Sequence, residues 1–285
     1  MPHRTATPAL AWSEGTSPLV FDSPHSGTSY PPGFAYACPL AALRRVEDTH
    51  VERLYRFVPE LGASWLEALF PRSYIDVNRA LTDMDPTLLA EPWPDLVEAS
   101  SKVRLGKGLI WRTLDDGTPI YSRPMTAEEA RQRIDQCWRP YHERLEHLLN
   151  AAYRRHGWVL HINCHSMPAV AGPFSTEFPG ETHADFVLGD RDHSTASADI
   201  TERMATWLRQ QGYSVMVNHP YKGVELVRRY SNPAQGRHSI QLEINKRLYM
   251  DEDTLALNDG FARTQATLRQ LFEALTAEGA PGQLA

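Results

Sequence analysis

Three histidines occupy one kind of position in this sequence. His25 follows the apolar run Pro18 to Asp22, His165 follows Val159 to Cys164, and His219 follows Tyr213 to Val217. Each stands where a strand-length segment gives way to a polar turn, the edge at which open α/β sheets bind ligands. Two carboxylates accompany them: Asp48, just ahead of a helical run, and Glu243, inside the alternating segment Ser239 to Asn245. Imidazole with carboxylate suits zinc, and three protein ligands with one open position is the pattern of a catalytic zinc site. The intervals are far wider than in a local motif such as H-E-x-x-H, so spacing alone leaves open the alternative of core histidines bonded to backbone carbonyls.

The elements that would position these groups are legible from periodicity. In Trp158 to Pro168, alternation puts Leu160, Ile162 and Cys164 on one face and His161, Asn163 and His165 on the other. In the last strand, Ile240, Leu242 and Ile244 point inward while Gln241, Glu243 and Asn245 share the opposite face and read as a polar pocket wall. Ser64 to Phe70 and Asp185 to Leu188 supply further strands. Thr126 opens the longest helix with Glu129 three residues on as a capping box, and Ile134, Trp138, Tyr141, Leu145, Leu148 and Ala152 form its apolar stripe. Pro140 should kink it and Gly157 should end it. Asp48 is placed like the N-cap of a helix carrying Val51, Leu54, Tyr55 and Val58, with Gly62 as its stop. Two more helices carry Ile200, Met204, Trp207 and Leu208, and Phe261, Leu268, Leu271, Phe272 and Leu275. Leu109 to Thr113 and Pro119 to Ser122 read as a hairpin, and Val224 to Val227 as a strand pairing with Ser239 to Asn245. Residues 83 to 108, with three prolines and two glycines, read as a long functional excursion. Helices delivering the chain to strands in this way define an α/β protein.

At 285 residues the chain suits one large domain spanning 1–285. A formal net charge of -6 gives no long-range attraction to nucleic acid or anionic membrane, which points to small molecules as partners. Cys38, Cys137 and Cys164 are odd in number and contain no C-x-x-C pair, so disulfides and thiolate zinc sites are not expected. Met1 to Gly15 has no apolar run of signal-peptide length and no segment has the length of a membrane span, so the expected location is the cytoplasm. No G-x-S-x-G elbow, Walker loop or G-x-G-x-x-G fingerprint occurs, and Cys164 faces the core, which disfavours covalent and nucleotide chemistry.

Five segments carry a family resemblance: Pro24-His25-Ser26-Gly27, Asp76-Val77-Asn78-Arg79, Asn163 to Pro168, Asn218 to Gly223, and Gln241 to Asn245 with Leu248 to Glu252. In this order, from about residue 18 to 252, they resemble the N-formylglutamate amidohydrolases, also called N-formylglutamate deformylases. The resemblance implies a three-layer α/β/α fold with a central mixed, mostly parallel sheet, akin to zinc carboxypeptidases and aspartoacylases (phosphorylase/hydrolase-like). It also implies a bound zinc and hydrolysis of N-formyl-L-glutamate to formate and L-glutamate in histidine breakdown.

Residue by residue, the resemblance makes His25 and His165 zinc ligands. Related carboxypeptidases have a glutamate three residues after the first histidine, where this chain has Thr28. Asp48 is the chosen third ligand, with Glu52 and His50 as alternatives and a plain helix N-cap as its other reading. Glu243 matches the catalytic glutamate, which takes a proton from water and returns one to the leaving nitrogen. Asn78 and Arg79 resemble the pair that grips the substrate's α-carboxylate, and Arg72 the arginine that stabilises the oxyanion. The substrate's second carboxylate calls for another cation, for which Arg228 is preferred over Arg229 and Lys222. His219 is expected to line the pocket, and His193 and His238 are candidate donors to carboxylates. Zinc follows from ligand type, although manganese, cobalt or iron accept similar donors. A relative acting on another N-acyl amino acid and a non-catalytic ligand-binding relative are the competing readings.

Overall fold

Among the described residues, seven strands form one sheet: β1 (Leu10–Ser13), β2 (Leu19–Ser23), β3 (Ser64–Ala68), β4 (Val159–Met167), β5 (Phe186–Gly189), β6 (Val215–Val217) and β7 (Arg237–Asn245). The structure, a computed structural model, describes residues 9–98, 100–172 and 178–277. The start of the N-terminal stretch (1–8) and part of the Gly- and Pro-bearing loop after His165 (173–177) therefore lie outside the described residues. The spatial order is β1-β3-β2-β4-β7-β5-β6. Pairs β2–β3, β2–β4, β4–β7 and β5–β6 are parallel, while β1–β3 and β5–β7 are antiparallel, giving the mixed, mostly parallel sheet expected. Every residue of β2 and β4 is buried, as befits central strands covered on both faces.

Eight α-helices occur among the described residues: α1 (Leu40–Arg45), α2 (Val51–Leu54), α3 (Ser101–Arg104), α4 (Ala127–Arg133), α5 (Arg139–His156), α6 (Ala198–Gln210), α7 (Glu225–Tyr230) and α8 (Phe261–Ala277). Leu160, Ile162 and Cys164 of β4, with Ile240, Leu242 and Ile244 of β7, pack against Val51 and Leu54 of α2, Met204 and Leu208 of α6, and Leu268 and Phe272 of α8. On the opposite face, Val20, Leu66 and Val159 meet Tyr141, Leu145 and Leu148 of α5. These two apolar layers make the protein three-layered. Among the described residues no helix is long and apolar enough to cross a membrane.

The capping box forms as expected, with Thr126 Oγ1 accepting from the Glu129 amide and Glu129 Oε2 from the Thr126 amide. Gly157 ends α5 at φ 75°, a left-handed conformation that glycine adopts without steric cost. Pro140 lies in the first turn of α5, directly after a π-helical segment Ile134–Trp138 that absorbs the disruption between α4 and α5.

Two local expectations are corrected. Val224 to Val227 is not a strand: residues Glu225–Tyr230 form α7. Both edges of β7 are already taken, by β4 and by β5, so no ladder position remains, and the Leu226 amide instead donates to Asn78 Oδ1 at 2.9 Å. The proposed hairpin is only a turn with one bridge between Thr113 and Pro119. Apart from that bridge and a hydrogen bond from the Ile120 amide to the Arg112 carbonyl, its first arm makes its backbone contacts elsewhere: the Leu109 carbonyl accepts from the Asp76 amide, its amide donates to the Asp83 carbonyl, and Trp111 bridges Lys107. The 83–108 excursion contains one turn of 3-10 helix (Pro86–Leu88) and α3, and is otherwise irregular where described.

Candidate metal centre and active site

The sheet register assembles a polar layer row by row. Asp22, Asn163 and Gln241 are aligned across β2, β4 and β7, and one pleat further His165 is aligned with Glu243. Registered residues on parallel strands point to the same face. Along β4 that face begins with apolar Val159 and becomes polar through His161, Asn163 and His165 toward the carboxyl end. The opposite face is apolar from Leu160 through Cys164, and the Cys164 thiol there is pushed well up by burial. All three cysteines are buried and free.

His25 emerges just after β2, where the Asp48 amide donates to its carbonyl at 3.1 Å. Gly27 keeps this turn close to the 68–70 segment, since a Cβ there would lie 2.4 Å from the Phe70 carbonyl oxygen. Asp48 does not cap α2. The N-cap is His50 at φ 66°, with its own ring bonded to the Leu255 carbonyl, and this frees the Asp48 side chain to turn inward. The result is a buried group of His25, Asp48 and His165 whose ligand atoms all lie within 4.8 Å of one another and that could hold a metal ion. Asp48 Oδ2 is 3.5 Å from His25 Nδ1 and 2.9 Å from His165 Nδ1. Glu52 and His50, the alternatives for the third ligand, do not join this group.

The partners of the other ring nitrogens bear on its chemistry. His25 Nε2 lies 2.7 Å from Asp76 Oδ1 and His165 Nε2 lies 2.7 Å from Asn163 Oδ1. Both oxygens are acceptors, so each Nε2 carries the hydrogen and donates. In the neutral rings the two Nδ1 lone pairs then face the Asp48 carboxylate. His25 Nδ1 is buried without a hydrogen-bond partner. Converging lone pairs of two imidazoles and a carboxylate are an unfavourable arrangement that a proton or a cation relieves, and the N2O donor set fits zinc. Each ring is also braced from behind, as metal-binding histidines commonly are.

Asp76 is the hub of that bracing. It accepts from His25 Nε2, from the Asn78 amide at 2.9 Å, from Trp111 Nε1 at 3.2 Å and from Arg72 at 3.3 Å. Burial opposes its ionisation, but Arg79, His25 and Arg72 together hold it well below the usual carboxylate range. Asp48 is likewise held well below that range against burial, by His165 and His25 when a proton on the facing imidazoles is shared with it, and by the charge of Arg72. Arg72 reaches Asp48 Oδ1 at 3.4 Å and lies over the Trp111 ring at 4.8 Å.

Glu243 is 6 % exposed, and its Oε1 accepts from Gln241 Nε2 at 2.8 Å. Burial pushes its carboxyl up to about 7 and Asp48 adds to the rise, while His165, Arg72 and Gln241 oppose it. A carboxyl poised near neutrality suits proton transfer. The charge of Glu243 also acts on Tyr221, whose phenol is raised first by burial and then by that charge.

The remaining expected site residues are distributed unevenly. Asn78 joins the cluster, with Nδ2 at 3.3 Å from Asn163 Oδ1 and 3.2 Å from His165 Nε2. Arg79 is buried beneath it, donating through Nε to the Lys107 carbonyl and through Nη1 to the Asn78 carbonyl, with Nη2 3.6 Å from Asp76. Arg228 and Arg229 lie on α7, both paired with Glu225, and the Arg228 side chain is 56 % exposed. Lys222 pairs with Asp192, and His219 with Glu181. His193 donates to Asp190 and His238 Nδ1 accepts from the Ser197 amide, so neither braces this cluster. Sequence reasoning passed over Asp76, although it heads a motif already singled out, and Asp22 and His161, whose only signal was a polar residue on the same strand face.

These shifts set a pH dependence for the metal-free protein. Glu243 is protonated in the folded state up to about 7 and in the unfolded chain only up to about 4.5. Between those values the folded state binds the extra proton, so stability falls as pH rises, by at most about 1.4 kcal/mol per pH unit for one such group. Asp22, Asp48 and Asp76 are all lowered and titrate below this window. Glu243→Gln should therefore gain stability over the wild type between pH 5 and pH 7 in urea unfolding with a chelator present; a difference independent of pH would contradict this.

Comparison with known proteins points to one family. The family model described as N-formylglutamate amidohydrolase matches residues 17–250. The chain is 32% identical over 278 residues to an N-formylglutamate deformylase of Pseudomonas aeruginosa, covering 95% of this chain and 97% of the relative. It is 30% identical over 279 residues to that of Pseudomonas putida, again covering 95% and 97%. Among solved structures, an N-formylglutamate amidohydrolase from Ralstonia eutropha JMP134 superposes with a TM-score of 0.89 at 42% identity, covering 95% of this chain and 98% of the other.

Proposed function

The chain belongs to the N-formylglutamate amidohydrolase family, and from that premise we propose that it is a zinc-dependent hydrolase converting N-formyl-L-glutamate and water to formate and L-glutamate, acting in histidine degradation. The observation that carries the metal dependence is the convergence of His25 Nδ1, His165 Nδ1 and Asp48 Oδ2 in a buried site where both Nε2 atoms are already engaged. These three residues would hold the ion, which when bound supplies Lewis acidity toward the formyl oxygen and makes water more acidic.

The chain's own residues account for the rest. Glu243, registered beside His165, takes a proton from the attacking water and returns it to the amide nitrogen as the C–N bond breaks. Arg72, held on the cluster by Asp48 and Asp76, stabilises negative charge developing on the formyl oxygen. Asn78 and the Nη2 edge of Arg79 are assigned the α-carboxylate. Arg228 is assigned the side-chain carboxylate: Glu225 is shared by two arginines, so α7 keeps a net positive face, and Arg229 is additionally engaged over Trp138. All these groups border one sheet, which supports a single catalytic domain over 1–285.

Formate release from N-formylglutamate, N-formylaspartate and N-acetylglutamate tests the reading, the first being expected to be the preferred substrate; no formate from it overturns the proposal. Arg228→Ala should raise KM for N-formylglutamate by about 10- to 100-fold, the loss of one charged hydrogen bond, and leave N-formylalanine unaffected. Equal effects on both substrates would remove Arg228 from the specificity site.

A further inference from the structure

Asp22 is 0 % exposed, lies at the end of β2 and touches none of the three proposed metal ligands, yet no arginine or lysine is among its hydrogen-bond partners. Its Oδ2 accepts from the Tyr141 hydroxyl at 2.7 Å, and its Oδ1 from His161 Nε2 at 2.9 Å and Asn163 Nδ2 at 2.8 Å. His161 is in turn 2.7 Å from Ser239 Oγ. A buried carboxylate whose one possible cationic partner is an imidazole is costly, and an apolar residue would serve stability better. The arrangement has a directional consequence. An ionised carboxylate only accepts, so the Asn163 amide must turn its Nδ2 to Asp22 and its Oδ1 to His165. His165 Nε2 must then carry the hydrogen, which leaves the Nδ1 lone pair aimed at Asp48 and His25. Asn78 Nδ2 donates to Asn163 Oδ1 in the same orientation, so its 3.2 Å approach to His165 Nε2 is a contact between two donors and not a hydrogen bond.

We propose that Asp22 is a positioning residue for the metal centre, acting through Asn163 to fix the tautomer and orientation of His165, with Tyr141 and His161 holding the carboxylate in place. The two proposed ligand histidines are thus braced differently: His25 directly by the carboxylate of Asp76, His165 by a carboxylate relayed through an amide. Asn163 serves as an adapter because Asp22 belongs to the preceding row of the sheet and the relay spans the one-pleat offset between them. This inference rests on His165 being a metal ligand, and the experiment separates the two statements.

The measurement is zinc affinity by chelator competition on protein verified as folded by circular dichroism, together with the visible absorption of the cobalt-loaded protein. Asp22→Asn removes the obligation on the Asn163 amide and should weaken zinc binding by about 10- to 100-fold, with an altered cobalt spectrum. Asn163→Leu, which leaves the Asp22 bonds to Tyr141 and His161 in place, should do the same and serves if Asp22→Asn does not fold. His165→Ala should abolish stoichiometric binding. If His165→Ala binds zinc as the wild type does, the metal-centre reading fails. If His165→Ala loses zinc while Asp22→Asn, or Asn163→Leu in its stead, keeps wild-type affinity and spectrum, the metal centre stands and the positioning role of Asp22 is overturned. A fall in unfolding temperature without a change in affinity likewise assigns Asp22 to stability alone.

Discussion

Glu243→Gln is expected to lower kcat/KM on N-formylglutamate by about 10²–10⁴-fold, the usual contribution of a positioned acid/base group and equivalent to roughly 3–5 kcal/mol of transition-state stabilisation. The amide keeps the shape of the side chain and its place beside Gln241, but cannot accept the proton of water. Zinc affinity and KM should change little, because Glu243 is not among the residues whose ligand atoms converge. The pH profile provides a second readout. Activity should rise with pH as Glu243 deprotonates, and since its carboxyl stands at about 7 without a metal, a bound cation that favours the ionised form should put the acid limb below 7. That limb should be absent from the residual activity of the variant. Retention of wild-type turnover would show that another group moves the proton.

Removal of the metal, or of one ligand, should be at least as damaging. His25→Ala and His165→Ala should each lose stoichiometric zinc and on the order of 10³-fold in activity, corresponding to several kcal/mol of lost charge stabilisation. Chelated wild-type protein should be inactive and recover on adding zinc. Binding should also stabilise the fold, by about 4 kcal/mol when free zinc exceeds its dissociation constant 1,000-fold. The physical reason is specific to this site: the ion relieves the opposition of two imidazole lone pairs and the Asp48 carboxylate. Unfolding temperature should therefore rise with zinc in the wild type and not in either variant. Zinc-dependent stabilisation that persists in both would locate the ion elsewhere.

The face assignment of β4 and β7 came through unchanged, because a strand's period of two is a local property of the backbone. The pairing of His165 with the core-facing Cys164 needed nothing beyond alternation. The third metal-site residue was less tractable. Asp48 had the sequence position of an N-cap, and only the left-handed conformation of His50, with its ring bonded to the Leu255 carbonyl, shows why the aspartate is released to face the histidines. The misread strand at Val224 to Val227 has a comparable cause. Its β-branched residues fit a strand, but β4 and β5 occupy both edges of β7, and Asn78 takes the Leu226 amide from 148 positions away in the chain.

What the sequence by itself determined is therefore the alternation that sorts His161, Asn163, His165, Gln241 and Glu243 from the core, the helices that follow from caps and stripes, and the motifs that carry the family resemblance. These are set by neighbours within a few residues. Only the tertiary structure decided that Asp48 rather than Glu52 or His50 joins His25 and His165, that Asp76 contacts His25 while Asp22 and His165 share Asn163, and that Arg72 rather than Arg228 lies on the cluster. Each of those contacts depends on sheet order and register, which bring together positions tens to more than a hundred residues apart and leave no local trace in the chain.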